Sequence, residues 1–137
     1  PTVLDAVGEP IPDALHGRSL LPLLQGGDLP ERDVVIQWHR TDAMVPDPLP
    51  EWTRPFGMPE EVAAAWECPY RCLVTARLEK FTYFENGARV LFDLKDDPLE
   101  CHNRAEDVSE AHLQALEKRL RHRLVEEDDA FAEKIGE

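Results

Sequence analysis

Gln37-Trp38-His39-Arg40 is the run whose residue types best suit binding chemistry. It closes an apolar, β-branched segment and leads into a proline-rich stretch. The exit of a strand into a loop is where ligand-contacting groups concentrate. A guanidinium at Arg40, with His39 beside it, offers planar donors to an anionic or hydrogen-bonding group. Trp38 or Trp52 offers a face to a ring or an ammonium group. Arg71, at the start of a later strand, is a candidate of the same kind, so the substrate-binding set is Trp38, His39, Arg40 and Arg71. The structural alternative puts Trp38 in the core and pairs Arg40 with a local acid such as Asp42, since strand-end charges are often simply solvated.

Metal and nucleophile patterns are missing from the sequence. His102, His112 and His122 recur every ten residues, which sets successive members about 80° apart around a helix and keeps them from one ion. Asp96-Asp97 and Glu126-Glu127-Asp128-Asp129 are adjacent acids without the alternation of a calcium loop. The second block reads as a solvated helix end. No glycine-rich phosphate loop and no Ser-His-Asp arrangement is legible. The expectation is that no catalytic residue and no metal ligand lies in this chain.

The elements that must position the candidate set follow from periodicity. Pro1 suits a first helical turn and Gly8 a left-handed stop, so Thr2 to Val7 forms a short, largely apolar helix. Ser19 is placed to cap Leu20–Gln25, with Gly26-Gly27 ending it. Val34-Val35-Ile36-Gln37-Trp38 reads as a buried strand. Pro46, Pro48, Pro50, Pro55 and Gly57 argue against regular structure over most of Asp42–Met58, before a helical turn or two at Glu60–Trp66. Arg71–Ala76 and Phe81–Phe84 are further strands. Asn86-Gly87 signals a type I′ hairpin between Lys80–Glu85 and Arg89–Leu94. Ser109 caps a long helix whose Leu113, Leu116, Leu120 and Leu124 form one apolar stripe. The acidic end of that helix opposes its dipole and predicts fraying. The expected fold is α+β: a small antiparallel sheet of about four strands packed by a long C-terminal helix, preceded by short helices.

The acidic balance, 28 Asp and Glu against 15 Lys and Arg for a net charge of −13, repels nucleic-acid phosphates and anionic membranes, so neither is an expected partner. Three cysteines without a CxxC pair favour reduced thiols and a weakly cytoplasmic assignment, although Cys68–Cys72 and Cys72–Cys101 bridges both stay open.

Two stretches resemble the part of sulfatases, in the alkaline-phosphatase-like superfamily, that follows the catalytic core. One is Pro1-Thr2-Val3-Leu4-Asp5 with Gly17-Arg18-Ser19-Leu20-Leu21-Pro22-Leu23-Leu24. The other runs from Arg71 through Arg77-Leu78-Glu79-Lys80-Phe81 and Leu91-Phe92-Asp93-Leu94-Lys95-Asp96-Asp97-Pro98-Leu99-Glu100 to Asn103-Arg104-Ala105. The family turn is Tyr-Asp-Leu-x-x-Asp-Pro-x-Glu-x-x-Asn-Leu, from which Phe92 and Arg104 depart. The resemblance is to arylsulfatase- or choline-sulfatase-like members.

It implies that residues 1–32 are a connecting segment and 33–137 a C-terminal subdomain with a long proline-rich loop at 41–69. It also implies a parent that cleaves sulfate esters with a formylglycine and a divalent cation, usually calcium. The expected partners are the N-terminal catalytic domain of the same parent chain, a small sulfate-ester substrate and, as a homo-oligomer, a second copy. The apolar helix on the first residues, without an initiator Met, fits a C-terminal piece. Formylglycine arises from Cys/Ser-x-Pro-x-Arg, and none of Cys68-Pro69-Tyr70-Arg71, Cys72-Leu73-Val74-Thr75 or Cys101-His102-Asn103-Arg104 has that register. Cofactor chemistry is therefore not expected in this chain. A phosphodiesterase or phosphonate monoester hydrolase of the same superfamily, or a free-standing acidic interaction module, are the alternative readings.

Overall fold

The computed structural model describes residues 1–38 and 45–136. The chain divides into two compact units, Pro1–Arg32 and Asp33–Glu137.

In the first unit, α1 spans Thr2–Ala6 and α2 spans Leu21–Leu24. Gly8, at φ +77°, turns the chain out of α1, a conformation that costs glycine nothing. The Ser19 hydroxyl accepts from the Leu21 amide at 3.1 Å, and the Thr2 hydroxyl accepts from the Leu20 amide at 3.0 Å, tying the helices together. Neither helix holds a buried residue. Val3 is 76% exposed and Leu24 75%, so this unit has no core in which to hide its apolar side chains.

The second unit is α+β. Four strands, β1 (Val34–Trp38), β2 (Tyr70–Val74), β3 (Glu79–Phe84) and β4 (Arg89–Asp93), form an antiparallel sheet in sequence order. The register aligns Val35, Leu73, Phe81 and Leu91 in one cross-strand row. That row meets Leu113, Leu116, Leu120 and Leu124 of α4 (Glu110–Glu126) in the core, the apolar face that the leucine spacing prescribes. Ser109 caps α4 through the His112 amide. A 3₁₀ turn at Ala130–Lys134 adds Phe131 and Ala132, and Ile135 follows it into the core.

Four local expectations are corrected. β1 is an edge strand, with Val34 49% and Ile36 44% exposed, not a buried one; an apolar β-branched run does not encode which side lacks a neighbour. The β3–β4 connection is not type I′. Gly87 alone has positive φ, at +84°, the Gly87 amide donates to the Phe84 carbonyl and the Phe84 amide to the Ala88 carbonyl. This is a type I turn with a glycine bulge. The proline-rich stretch carries an unexpected 3₁₀ helix at Glu51–Phe56, while the helix expected at Glu60–Trp66 is present as α3, Pro59–Glu67. Proline is tolerated at the first turn of α3, and the Glu61 carboxylate accepts from the Met58 amide at 2.9 Å. The acidic end of α4 is not left unopposed, because Arg123 binds both Glu126 and Glu127.

The stretch after β4 is a hydrogen-bonded strap along the free edge of that strand. The Asn103 side-chain oxygen accepts from the Leu91 and Ala105 amides, both at 3.0 Å. The Arg104 amide donates to the Leu91 carbonyl at 2.8 Å. Asp93 accepts from the Lys95 amide and from Arg104, and Glu100 pairs with Lys80. Asp97 accepts from the His102 amide at 2.9 Å, and the amides of His102 and Cys101 hold its carboxyl below the usual aspartate range.

Because Asn103 uses only its oxygen in these bonds, Asn103→Ala is expected to lose about 1–3 kcal/mol by stranding two amides, whereas Asn103→Asp keeps most of the stability. Urea midpoints of the two variants check this. Equal losses would show that the side-chain oxygen is not the functional group.

Candidate functional site

The end of the sheet where β1 leaves is built around Arg71. Trp38, Tyr70 and Phe84 stand opposite one another in register. Trp38 stacks on Tyr70 with centroids 6.2 Å apart and planes 11° from parallel, and Tyr70 meets Phe84 at 5.3 Å. On the other face of the same strands, Gln37, Arg71 and Tyr83 align. Arg71 is 2% exposed. Its Nε and Nη2 donate to the two carboxylate oxygens of Asp129 at 2.5 and 3.0 Å. Its Nη1 donates to the carbonyls of Trp38 at 3.2 Å and Tyr70 at 3.0 Å. The guanidinium carbon lies 4.6 Å from the Phe131 ring centroid.

Asp129 also accepts from the Gln37 side chain at 3.0 Å and from the Phe131 amide at 3.0 Å. The expectation of a solvated acidic helix end is thus corrected for Asp129, whose side chain is 10% exposed. The backbone turns there because Asp128 takes positive φ, +53°. Asp129 is the residue of this cluster that sequence reasoning missed: 58 residues separate it from Arg71, and no local pattern announces a long-range ion pair.

Of the candidate set, Trp38 and Arg71 are brought together by the Nη1–carbonyl bond. His39 and Arg40, with Asp42 as the suggested partner of Arg40, lie outside the described residues. Trp52 is exposed and packs against Phe56 and Trp66 within the proline-rich segment, with centroids 6.4 and 5.9 Å apart. The same segment encloses a cavity of about 660 Å³ lined by Pro46, Pro48, Leu49, Pro50, Met58 and Ala63. Its wall is mostly apolar, as prolines and methionine dictate. A second cavity, about 610 Å³, lies between α4 and the β3–β4 turn. There Arg89 is neutralised by Glu110 and Glu117. Its bond to Glu110 raises the guanidinium further and holds the Glu110 carboxyl below the usual glutamate range.

Among the described residues, no three His, Cys, Asp or Glu side chains converge as a metal site. His102, His112 and His122 face Asp107, Glu79 and Glu126 respectively. The three cysteines are unpaired. Burial pushes the Cys72 thiol up, which disfavours the thiolate a nucleophile requires. No helix is long and apolar enough to cross a membrane among the described residues.

No protein-family model and no curated protein sequence matches this chain. Solved structures do. A protein described as a sulfatase, from Bacteroides thetaiotaomicron, superposes with a TM-score of 0.66 at 23% identity, covering 98% of this chain and 25% of its own. A 2-O GAG sulfatase matches with the same score, identity and coverage. The chain therefore has the fold of one portion of these proteins and spans about a quarter of their length.

Proposed function

We propose that this chain is the C-terminal subdomain of a sulfatase-family hydrolase whose full-length form cleaves sulfuric esters. The observation that carries the reading is the likeness of nearly the whole chain to one quarter of two sulfatase structures. The two sequence stretches that resemble sulfatases support it independently. In the second stretch four polar turn residues have structural partners: Asp93, Asp97, Glu100 and Asn103 all bond the backbone or a neighbouring side chain. That is what a scaffold requires.

Within such a protein this chain closes the structure and lends one wall to the substrate pocket. The N-terminal catalytic domain of the same chain would hold the formylglycine nucleophile and a divalent cation that would stabilise anionic charge at the ester. The chain's own contribution lies at the exit of β1. Arg71 fixes the Trp38 carbonyl and so anchors the backbone from which His39 and Arg40 continue. Trp38, His39 and Arg40 would contact a small sulfate ester, while Arg71 positions them. The exposed apolar residues of the Pro1–Arg32 unit supply a surface for the catalytic domain.

The test is mass spectrometry of the full-length protein after coexpression with a formylglycine-generating enzyme. A formylglycine upstream of this chain, with turnover of an aryl sulfate, is expected. An unmodified upstream nucleophile together with turnover of a phosphodiester would overturn the sulfatase reading in favour of a related phosphoryl hydrolase.

A further inference from the structure

The two edges of the sheet are treated differently. Along β4 the edge is occupied, because Asn103 and Arg104 bond both backbone groups of Leu91. Along β1 no strand pairs on the outer side among the described residues. Sheet edges in monomers are normally blunted by charge, proline, a bulge or a covering loop. Val34-Val35-Ile36-Gln37-Trp38 has no charge and no proline, pairs with β2 in unbroken register, and exposes Val34 and Ile36. An edge of this composition favours another strand.

We propose that the occupant is β1 of a second copy of this chain, paired antiparallel about a twofold axis through Ile36. The strand is self-complementary in that register. Ile36 meets Ile36 of the other copy, and Val34 meets Trp38, so one face of the junction is an unbroken apolar row. On the other face Val35 meets Gln37. Directly opposed side chains of this kind are the unit of sheet stabilisation, and a twofold contact of one patch with itself is the commonest oligomer geometry. A shift by one residue would mismatch the faces, which specifies the register.

Charge agrees with the same orientation. Asp33, before β1, binds Arg119 in α4, and Gln37, near its end, binds Asp129 just beyond α4. The C-terminal half of α4 therefore runs in the same direction as β1. Inverting one copy about Ile36 brings the basic end, Lys118 and Arg119, towards the acidic end, Glu126 to Asp129, of the other. A five-residue edge is smaller than the roughly 800 Å² per partner of a stable interface. The net charge of −13 on each copy opposes association. The dimer is accordingly weak and concentration-dependent.

The test is sedimentation velocity on the full chain across a micromolar concentration series, with cysteine cross-linking as a probe of register. The wild type is expected to shift from monomer to dimer as concentration rises. Ile36→Lys, at an exposed position, should stay monomeric with an unchanged far-ultraviolet spectrum. In a Cys68→Ser, Cys101→Ser background, Ile36→Cys should form a disulfide-linked dimer under mild oxidation, because the axis places the two Cα atoms about 4.5–5.5 Å apart. Val34→Cys should not, since its counterpart lies about 14 Å away along the strand. Monomer at every concentration, including the case in which another segment of a longer polypeptide fills this edge, would overturn the proposal. So would a dimer that survives Ile36→Lys, or equal cross-linking at positions 34 and 36.

Discussion

Replacing Arg71 by Met is expected to destabilise the second unit by about 3–5 kcal/mol, because removing one partner of a buried pair strands the other charge. Asp129, 10% exposed, would lose its two hydrogen bonds from the guanidinium. The Trp38 and Tyr70 carbonyls would lose their shared donor, and Phe131 its cation. Such a loss takes a large part of the roughly 5–15 kcal/mol that holds a domain together, and lowers the melting temperature by more than ~10 °C.

The double variant Arg71→Met, Asp129→Leu separates the pair from its surroundings. Replacing both charges with apolar groups removes the uncompensated carboxylate, so the double variant is expected to lose much less than the sum of the single losses. The remaining deficit reflects the Phe131 amide and Gln37, which Asp129 also serves. Thermal unfolding of the four proteins checks the coupling. Additive losses would mean that Arg71 and Asp129 act independently.

Phe81→Ala should cost about 3–5 kcal/mol, the range for truncating a fully buried aromatic ring. Phe81 has no exposed surface. It stands between Leu73 and Leu91 in the central row of the sheet and belongs to the cluster formed with the α4 leucines. The surrounding leucines can close only part of the space, so a residual cavity is expected. Ile36→Ala on the open edge is the matched contrast, and for the monomer should fall within about 0.5 kcal/mol of wild type. Urea unfolding at low protein concentration compares them. Similar losses at the two positions would contradict the assignment of one face as core and β1 as edge.

Much of the fold is legible because its signals are local. The leucines of α4 repeat at helical spacing, Ser109 caps it, and Asn86-Gly87 locates a hairpin whatever turn type it adopts. Three matters were not legible for physical reasons. A β-branched run packs equally well at the centre or at the edge of a sheet, so Val34–Trp38 does not declare its neighbours. Prolines argue against regular structure, yet a short 3₁₀ helix at Glu51–Phe56 accommodates Pro55 inside a stretch that reads as irregular. The Arg71–Asp129 pair joins residues 58 apart and leaves no trace in sequence spacing. Of the candidate residues, Trp38 and Arg71 come together at the strand exit through a backbone carbonyl, which residue types alone do not specify.

The most direct measurement is aryl sulfate turnover by the full-length protein and by the purified 137-residue chain, side by side. If the chain is the scaffold and pocket wall proposed above, the isolated chain shows no turnover above the buffer rate, while the full-length protein hydrolyses the ester. Hydrolysis by the isolated chain would contradict the account, because it would place the catalytic groups among the residues assigned here to structure.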